Sequence, residues 1–337
     1  MSASSLPLAA TPTAATRGRW ARRNAWVLGV YLLLLLLLGV LKVTSPTFGS
    51  YELRNLVDGA LPLALAAFAQ GVIVISGGID LSIGAMMSLV DVIAARSMLN
   101  TDLKTALFIS ALLVVGTALA GAITGALITL TRVPDIVVTL ATSFVWAGLA
   151  LQVMPTPGGG GPQEFQDLLT GELGGSDGVV PAAILVMVVV LVVVWIPLRR
   201  TRLGLGIYAI GSNRTAAYLS GIPVWRTRIA AYTVGGVFAA LAGLTLMAST
   251  LSGDATSGTS GAGYTLNSVA AIVVGGISLT GGRGGLIGPL AAAIVLQGIT
   301  QLLTVRGVDA NVSIVIQGTL VIAVVMIAGL LLLRRRA

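Results

Sequence analysis

The chain has 337 residues, 56% of them hydrophobic and only 9% charged, with a mean hydropathy of +0.98. That is more apolar surface than a soluble domain of this length can hide, and the longest stretch without an apolar run, about 30 residues, is too short for an aqueous domain. The formal charge of +8 sits beside the apolar runs rather than in one patch, which points to membrane topology and away from nucleic acid; the absence of cysteine and histidine excludes disulfides, thiolate chemistry and the usual metal ligand and proton shuttle, so neither a metal site nor a catalytic residue is expected.

Residues 1–16, rich in Ser, Ala, Thr and Pro, cannot bury a core. With Arg17, Arg19, Arg22 and Arg23 they read as a disordered basic tail over residues 1–24, followed by a membrane domain over 25–333 and a second basic tail over 334–337. The run from Trp26 to Leu41 contains seven consecutive leucines, and Lys42 to Pro46 is a poor cleavage region, so this segment reads as an uncleaved anchor. A span needs about 20 mainly apolar residues. Runs near 26–42, 56–76, 79–98, 104–130, 134–153, 179–198, 229–250, 266–280, 286–304 and 312–333 give an all-α polytopic protein of ten spans, or eight to ten with re-entrant pieces, since the third carries Asp80, Asp91 and Arg96 and the eighth is glycine-broken. From an inside N-terminus, fifteen of the 20 basic residues fall in inside segments, which predicts cytoplasmic N- and C-termini.

A short phrase occurs twice, as Gly77-Gly78-Ile79-Asp80-Leu81-Ser82 and as Gly275-Gly276-Ile277-Ser278-Leu279-Thr280, each directly after an apolar run. Paired glycine interruptions in a membrane chain point to broken helices around a midplane site. Of the intramembrane carboxylates, Asp58 and Asp135 lie near predicted span ends, where water or headgroups solvate them, and Asp91 lies one and a half turns from Arg96. Asp80, among glycines and two residues before Ser82, reads either as a cap for the next helix or as a solute contact. The candidate solute pathway is Gln70, Gly77, Gly78, Asp80, Ser82, Phe144, Asn267, Gly275, Gly276 and Ser278; Ser76, Ser88, Thr142, Ser143, Trp146, Ser268, Gln297 and Gln301 are further polar or aromatic side chains in the spans, although such groups more often bond between helices.

The segment 154–178, with Pro155, Pro157, four consecutive glycines and Pro162, gives turns; a lid or docking surface and a solvated connector are both open. In the basic segment 199–228, Ser212 or Asn213 can cap a helix over Arg214 to Ser220 that Gly221 and Pro223 stop. Two turns are not stable alone, so partner packing or the membrane surface, with Arg226 and Arg228 on headgroups, must hold them. Gly121 and Gly125 form a GxxxG pair, and Gly235, Gly236 and Gly243 stud a later span, all read as helix packing. The only lysines, Lys42 and Lys104, lie outside any GxxxxGK phrase, so the chain does not hydrolyse ATP unaided, and Gly281-Gly282-Arg283-Gly284-Gly285 reads as a tight turn.

Three motifs together carry a family resemblance: Ser76-Gly77-Gly78-Ile79-Asp80-Leu81-Ser82-Ile83-Gly84, then Gly211-Ser212-Asn213 with Ala216-Ala217 and Ser220-Gly221-Ile222, then Val274-Gly275-Gly276 with Gly281-Gly282-Arg283-Gly284. In order and spacing, from about Thr47 to Leu333, the chain resembles the ribose-type permeases of bacterial ABC importers, a wider family that includes branched-chain amino-acid and nucleoside permeases. The resemblance implies an inner-membrane permease that moves a monosaccharide-like solute (ribose, xylose or galactose class, or autoinducer-2) by alternating access. It implies pairing with a second permease subunit, identical or paralogous, seating on two cytoplasmic ABC ATPase subunits, and a periplasmic or lipid-anchored binding protein. No cofactor is implied in this chain, ATP and Mg belonging to the ATPase. The coupling helix would then comprise Gly211, Asn213, Arg214, Ala216, Ala217, Leu219, Ser220 and Gly221. One departure is that many relatives carry acidic residues just after that asparagine, where this chain has Arg214 and Thr215. The rival is an ion-coupled secondary transporter using Asp80 or Asp91; a membrane enzyme and a receptor are disfavoured by the missing catalytic side chains and the small aqueous mass.

Overall fold

The computed structural model describes residues 14–45, 48–173, 180–256, 263–309, 311–313, 315–319, 322, 323 and 326. These form a helical bundle of α1 (Ala14–Thr44), α2 (Ser50–Ile75), α3 (Ile83–Ser97), α4 (Leu103–Thr131), α5 (Asp135–Val153), α6 (Gln163–Thr170), α7 (Ala182–Val189), α8 (Ile196–Arg200), α9 (Arg202–Ser212), α10 (Arg214–Leu219), α11 (Val224–Thr250), α12 (Gly263–Val274) and α13 (Ile287–Val305). A two-residue antiparallel pair, β1 (Glu172–Leu173) and β2 (Val180–Pro181), lies between α6 and α7. A π-helical turn, Val190–Trp195, joins α7 to α8 into one apolar rod, Ala182–Arg200. Pro197 has no N–H to give to the ladder, and Ile196 N–H reaches Leu191 O five residues back.

Among the described residues seven helices are long and apolar enough to cross a membrane: 25–44, 50–75, 103–131, 135–153, 182–200, 224–250 and 287–305. The expected third and eighth spans are shorter pieces. At 1.5 Å per residue α3 is roughly 22 Å long and α12 roughly 18 Å, below a bilayer core. The expected tenth span, 312–333, lies mostly outside the described residues, as do residues 1–13 and 334–337. Residues 14–24, expected to be disordered, are helical backbone continuous with α1, because the long leucine helix propagates back through good helix formers.

The centre of the bundle is α2, almost wholly buried, with α11 packed along it. The glycines of α11 face three different neighbours. A Cβ on Gly236 would run into Thr117 O on α4, one on Gly235 would lie 2.6 Å from Ile73 Cδ1 on α2, and one on Gly243 would lie 2.6 Å from Met87 O on α3. From the other side, Gly121 and Gly125 of the GxxxG pair meet Tyr232 and Ile229 of α11. Close backbone approach on every side explains why α11 has no polar face. Gly236→Leu should therefore lower thermal stability in detergent by about 1–3 kcal/mol or prevent folding, whereas Gly116→Leu, on α4 with nothing within 4 Å of its Cβ position, should not. Fluorescence-detected size exclusion after heating separates the two.

The glycine- and proline-rich segment after α5 is not a solvated connector. Left-handed Gly159 (φ +76°) sits against Ala95, Gly158 and Gly253 exchange backbone hydrogen bonds, and α6 buries Phe165 against α3, α4 and α11. Arg54 Nη2 ties α6 to α2 through Thr170 O at 2.9 Å.

Candidate functional site

α2 ends in a Schellman turn: Gly77 N–H donates to Val74 O (2.9 Å), Gly78 N–H donates to Ile73 O (3.0 Å), and Gly77 takes φ +83°. α12 ends the same way, Gly276 N–H donating to Val273 O and Ile277 N–H to Ile272 O, with Gly276 at φ +88°. The repeated phrase is thus real but offset by one residue in its structural role. Gly77 corresponds to Gly276, while Gly275 serves helix contact, its Cβ position blocked by Gly288 and Pro289.

Between α2 and α3, Asp80 is only 3% exposed and turns onto its own backbone. Its Oδ1 accepts from Ser82 N–H (2.7 Å) and from Ser82 Oγ–H (2.6 Å), just ahead of α3. This is an Asx turn leading into α3, whose N-cap is Ser82 with no side-chain cap bond, so Asp80 orders the entry to the helix without capping it.

Three motifs separated by up to 200 residues of chain meet at this end of the bundle. A Cβ on Gly211, at the close of α9, would run into Ile75 O and lie 2.7 Å from Gly282 N, and Gly282 N–H itself donates to Ile75 O at 2.9 Å. Positions for a Cβ on Gly281 and Gly282 lie 3.0 Å from Gly77 Cα and 2.6 Å from Ser212 Cα. Three strands of backbone touch with no side chain between them, an approach only glycine permits. Trp26 Nε1 of α1 donates to Val274 O (2.7 Å) and Tyr208 of α9 donates to Gly284 O (2.7 Å), fastening the same junction from outside.

From this junction projects α10. Asn213 is its N-cap, Oδ1 accepting from Ala216 N–H at 3.0 Å; at the other end Gly221 (φ +79°) donates to Tyr218 O and Ile222 N–H to Ala217 O, closing a third Schellman turn. Ala217 faces inward, while Tyr218 and Leu219 are 71% and 79% exposed. Asn213, not Ser212, is the cap.

Asp135 differs from expectation. It is not solvated at a span end but forms a largely buried ion pair with Arg228 of α11 and accepts from Tyr232 Oη–H at 2.9 Å. Both oxygen atoms press on the break: a Cβ on Gly78 would lie 2.8 Å from Asp135 Oδ2 and from Tyr232 Oη. Arg228 accordingly points inward, not toward headgroups, and Arg226 lies over the Trp225 ring at 4.9 Å. Together the helix break, the α4–α5 turn, α10 and the start of α11 enclose a cleft of about 920 Å³ that includes Gly77, Gly78, Arg132, Asp135, Arg214 and Arg228.

The predicted residues do not converge on a midplane site. Gly77, Gly78, Asp80, Ser82, Gly275, Gly276 and Ser278 lie at the α10 end of the bundle, because α2, at 26 residues, runs roughly 39 Å before its break. Ser278 bonds Thr280 Oγ1 at 2.8 Å. Gln70 is inside α2's buried stretch with neither side-chain atom hydrogen-bonded among the described residues; Asn267 is half-buried on α12, and Phe144 is on the exposed face of α5. Asp91 is buried near the other end, accepting from Asp254 N–H at 2.9 Å, and Arg96 donates to Val153 O instead of pairing with it.

The family described as branched-chain amino acid transport system / permease component matches residues 53–325. The chain is 32% identical over 320 residues to the ribose import permease protein RbsC of Escherichia coli (strain K12), covering 94% of this chain and 98% of that one. It is 33% identical over 305 residues to RbsC of Bacillus subtilis (strain 168), covering 89% and 92%. It is also 32% identical over 271 residues to the autoinducer 2 import system permease protein LsrD of Photorhabdus temperata, covering 78% and 79%. No solved structure matches.

Proposed function

The chain belongs to the family of branched-chain amino acid transport system permease components, and we propose that within it the protein is the membrane permease of an ATP-driven importer for a monosaccharide-like solute. The relatives' names support ribose or autoinducer-2, and we extend the reading to other monosaccharides of the xylose or galactose class. The α10 end faces the cytoplasm, with both termini on the same side, which the fifteen basic residues of the inside segments support. There α10 docks on a separate ABC ATPase that holds ATP and Mg; a binding protein delivers solute on the opposite face, and a second permease subunit, identical or paralogous, completes the pathway.

The observation that carries this reading is the glycine junction. Any displacement of α10 is transmitted through Gly211 and Ser212 to the Ile75 carbonyl and to Gly281–Gly282, hence to the ends of α2 and α12 at once. Alternating access needs such a rigid link between nucleotide-driven motion and helices that line the pathway, with differential contacts in two states. Gln70 in α2, with Asn267 and Phe144, supplies candidate solute contacts; a buried unpaired amide costs about 1–3 kcal/mol unless another state gives it a partner. The ion-coupled alternative is disfavoured by family membership and by the engagement of Asp80 with Ser82.

The test is reconstitution with the partner ATPase and binding protein. Tyr218→Ala with Leu219→Ala should leave folding unchanged, since both side chains are exposed, yet reduce ATPase stimulation and uptake by about tenfold or more, as hot-spot side chains do. Accumulation of solute against a gradient by this chain alone would overturn the proposal.

A further inference from the structure

The cleft beside α10 is charged in a way the transport mechanism does not use. Arg132 from the α4–α5 turn, Arg214 from α10 and Arg228 from α11 all line it, against one carboxylate, Asp135. Arg228 is 9% exposed and gives Nη2 to Asp135, yet its Nε has no acceptor among the described residues. Asp135 answers Arg228, which leaves the exposed Arg132 and Arg214 lining the cleft with no carboxylate partner among the described residues, a pair of guanidinium groups suited to an anion.

We propose that this cleft binds the phosphate headgroup of an anionic phospholipid. Neither tail of the chain can fill it, because Arg17, Arg19, Arg22 and Arg23 at one end and Arg334 to Arg336 at the other are basic. The occupant also meets grease. Ile128, Val133 and Ile136 share the cleft, and one turn beyond the exposed Ile136 the side chain of Leu140 is exposed on α5. A head bearing one or more phosphate oxygens with acyl chains beside it satisfies both halves, as basic pockets between membrane helices do elsewhere. Bound there, the lipid bridges α10, α11 and the α4–α5 turn. The site goes beyond the importer reading and is tested without it.

Native mass spectrometry of the full chain in detergent, offered phosphatidylglycerol and phosphatidylcholine with the same acyl chains, should show selective retention of phosphatidylglycerol. R132Q with R214Q, both at exposed side chains, should cut that preference by about thirtyfold, the product of two arginines acting near an anionic headgroup. R199Q with R200Q, exposed but outside the cleft, should leave it intact. Equal retention of both lipids, an unchanged preference in R132Q/R214Q, or an equal loss in R199Q/R200Q overturns the proposal. So does displacement by millimolar inorganic phosphate, which would make this a free-anion site, or expulsion of the lipid when the ATPase docks, which would make it a protein contact.

Discussion

Gly211→Ala should sharply reduce uptake by the assembled transporter while Gly285→Ala, four residues beyond the same junction's Gly281, leaves it unchanged. The two substitutions are chemically identical and differ only in what the new methyl group meets. At Gly285 nothing lies within 4 Å. At Gly211 the methyl lands on Ile75 O and against Gly282 N, the two atoms of a 2.9 Å hydrogen bond, and both are main chain rather than the yielding tip of a side chain. Either the bond opens or the end of α9 moves off α2, at a cost of about 1–3 kcal/mol. Global stability can absorb this, but the link from α10 to α2 cannot, so uptake in proteoliposomes should fall by about tenfold or more, equivalent to 1.4 kcal/mol or above on the transport barrier. Thermal unfolding of the isolated chain separates a broken link from a broken fold. Transport by Gly211→Ala at the Gly285→Ala rate would sink the junction as a coupling element.

Much of this architecture was legible in the chain because its signals are local. Apolar length located the spanning part of α1, 25–44, and α2, α4, α5, the α7–α8 rod, α11 and α13, missing the earlier starts of α1 at Ala14 and of α2 at Ser50. Asn213 and Gly221 bracketed α10, since a side-chain cap and a left-handed glycine act on their own turn. The packing glycines of α4 and α11 were likewise identifiable, though not which neighbour each meets. What failed was depth and pairing. The third run, 79–98, reads either as a span or as a re-entrant piece, because apolar length alone does not reveal that Gly77–Ser82 are spent on a turn and that α3 starts only at Ile83. Alignment by residue type set Gly77 against Gly275, whereas the backbone sets Gly77 against Gly276, because φ and not identity defines the cap. Phe165, Leu168 and Leu169 are the apolar residues of α6, and only the surrounding core explains why Phe165 is buried while Leu168 is exposed.

The hardest group to foresee was Asp135, whose partners lie 93 and 97 residues away. No spacing rule connects them, and a carboxylate after Pro134 at a span end reads as solvated. Its role is tested by a cycle of substitutions. Asp135→Asn leaves the Arg228 charge in a site where only 11% of that side chain is exposed, its Nε already without an acceptor. Stranding one member of a largely buried pair costs about 3–5 kcal/mol, whereas removing both charges costs much less. Asp135→Asn should therefore lower the unfolding midpoint sharply, and Asp135→Asn with Arg228→Gln should recover most of the loss, a coupling that intrinsic fluorescence during heating can measure. Tyr232→Phe isolates the smaller share, one hydrogen bond to a charged acceptor worth about 1.5–3 kcal/mol. Additive effects of the Asp135 and Arg228 substitutions would mean the pair holds nothing together. A strong coupling places the clamp on Gly78, where the carboxylate and the tyrosine hydroxyl already leave no room for a methyl group, and so makes the pair a restraint on the helix break that α10 must move.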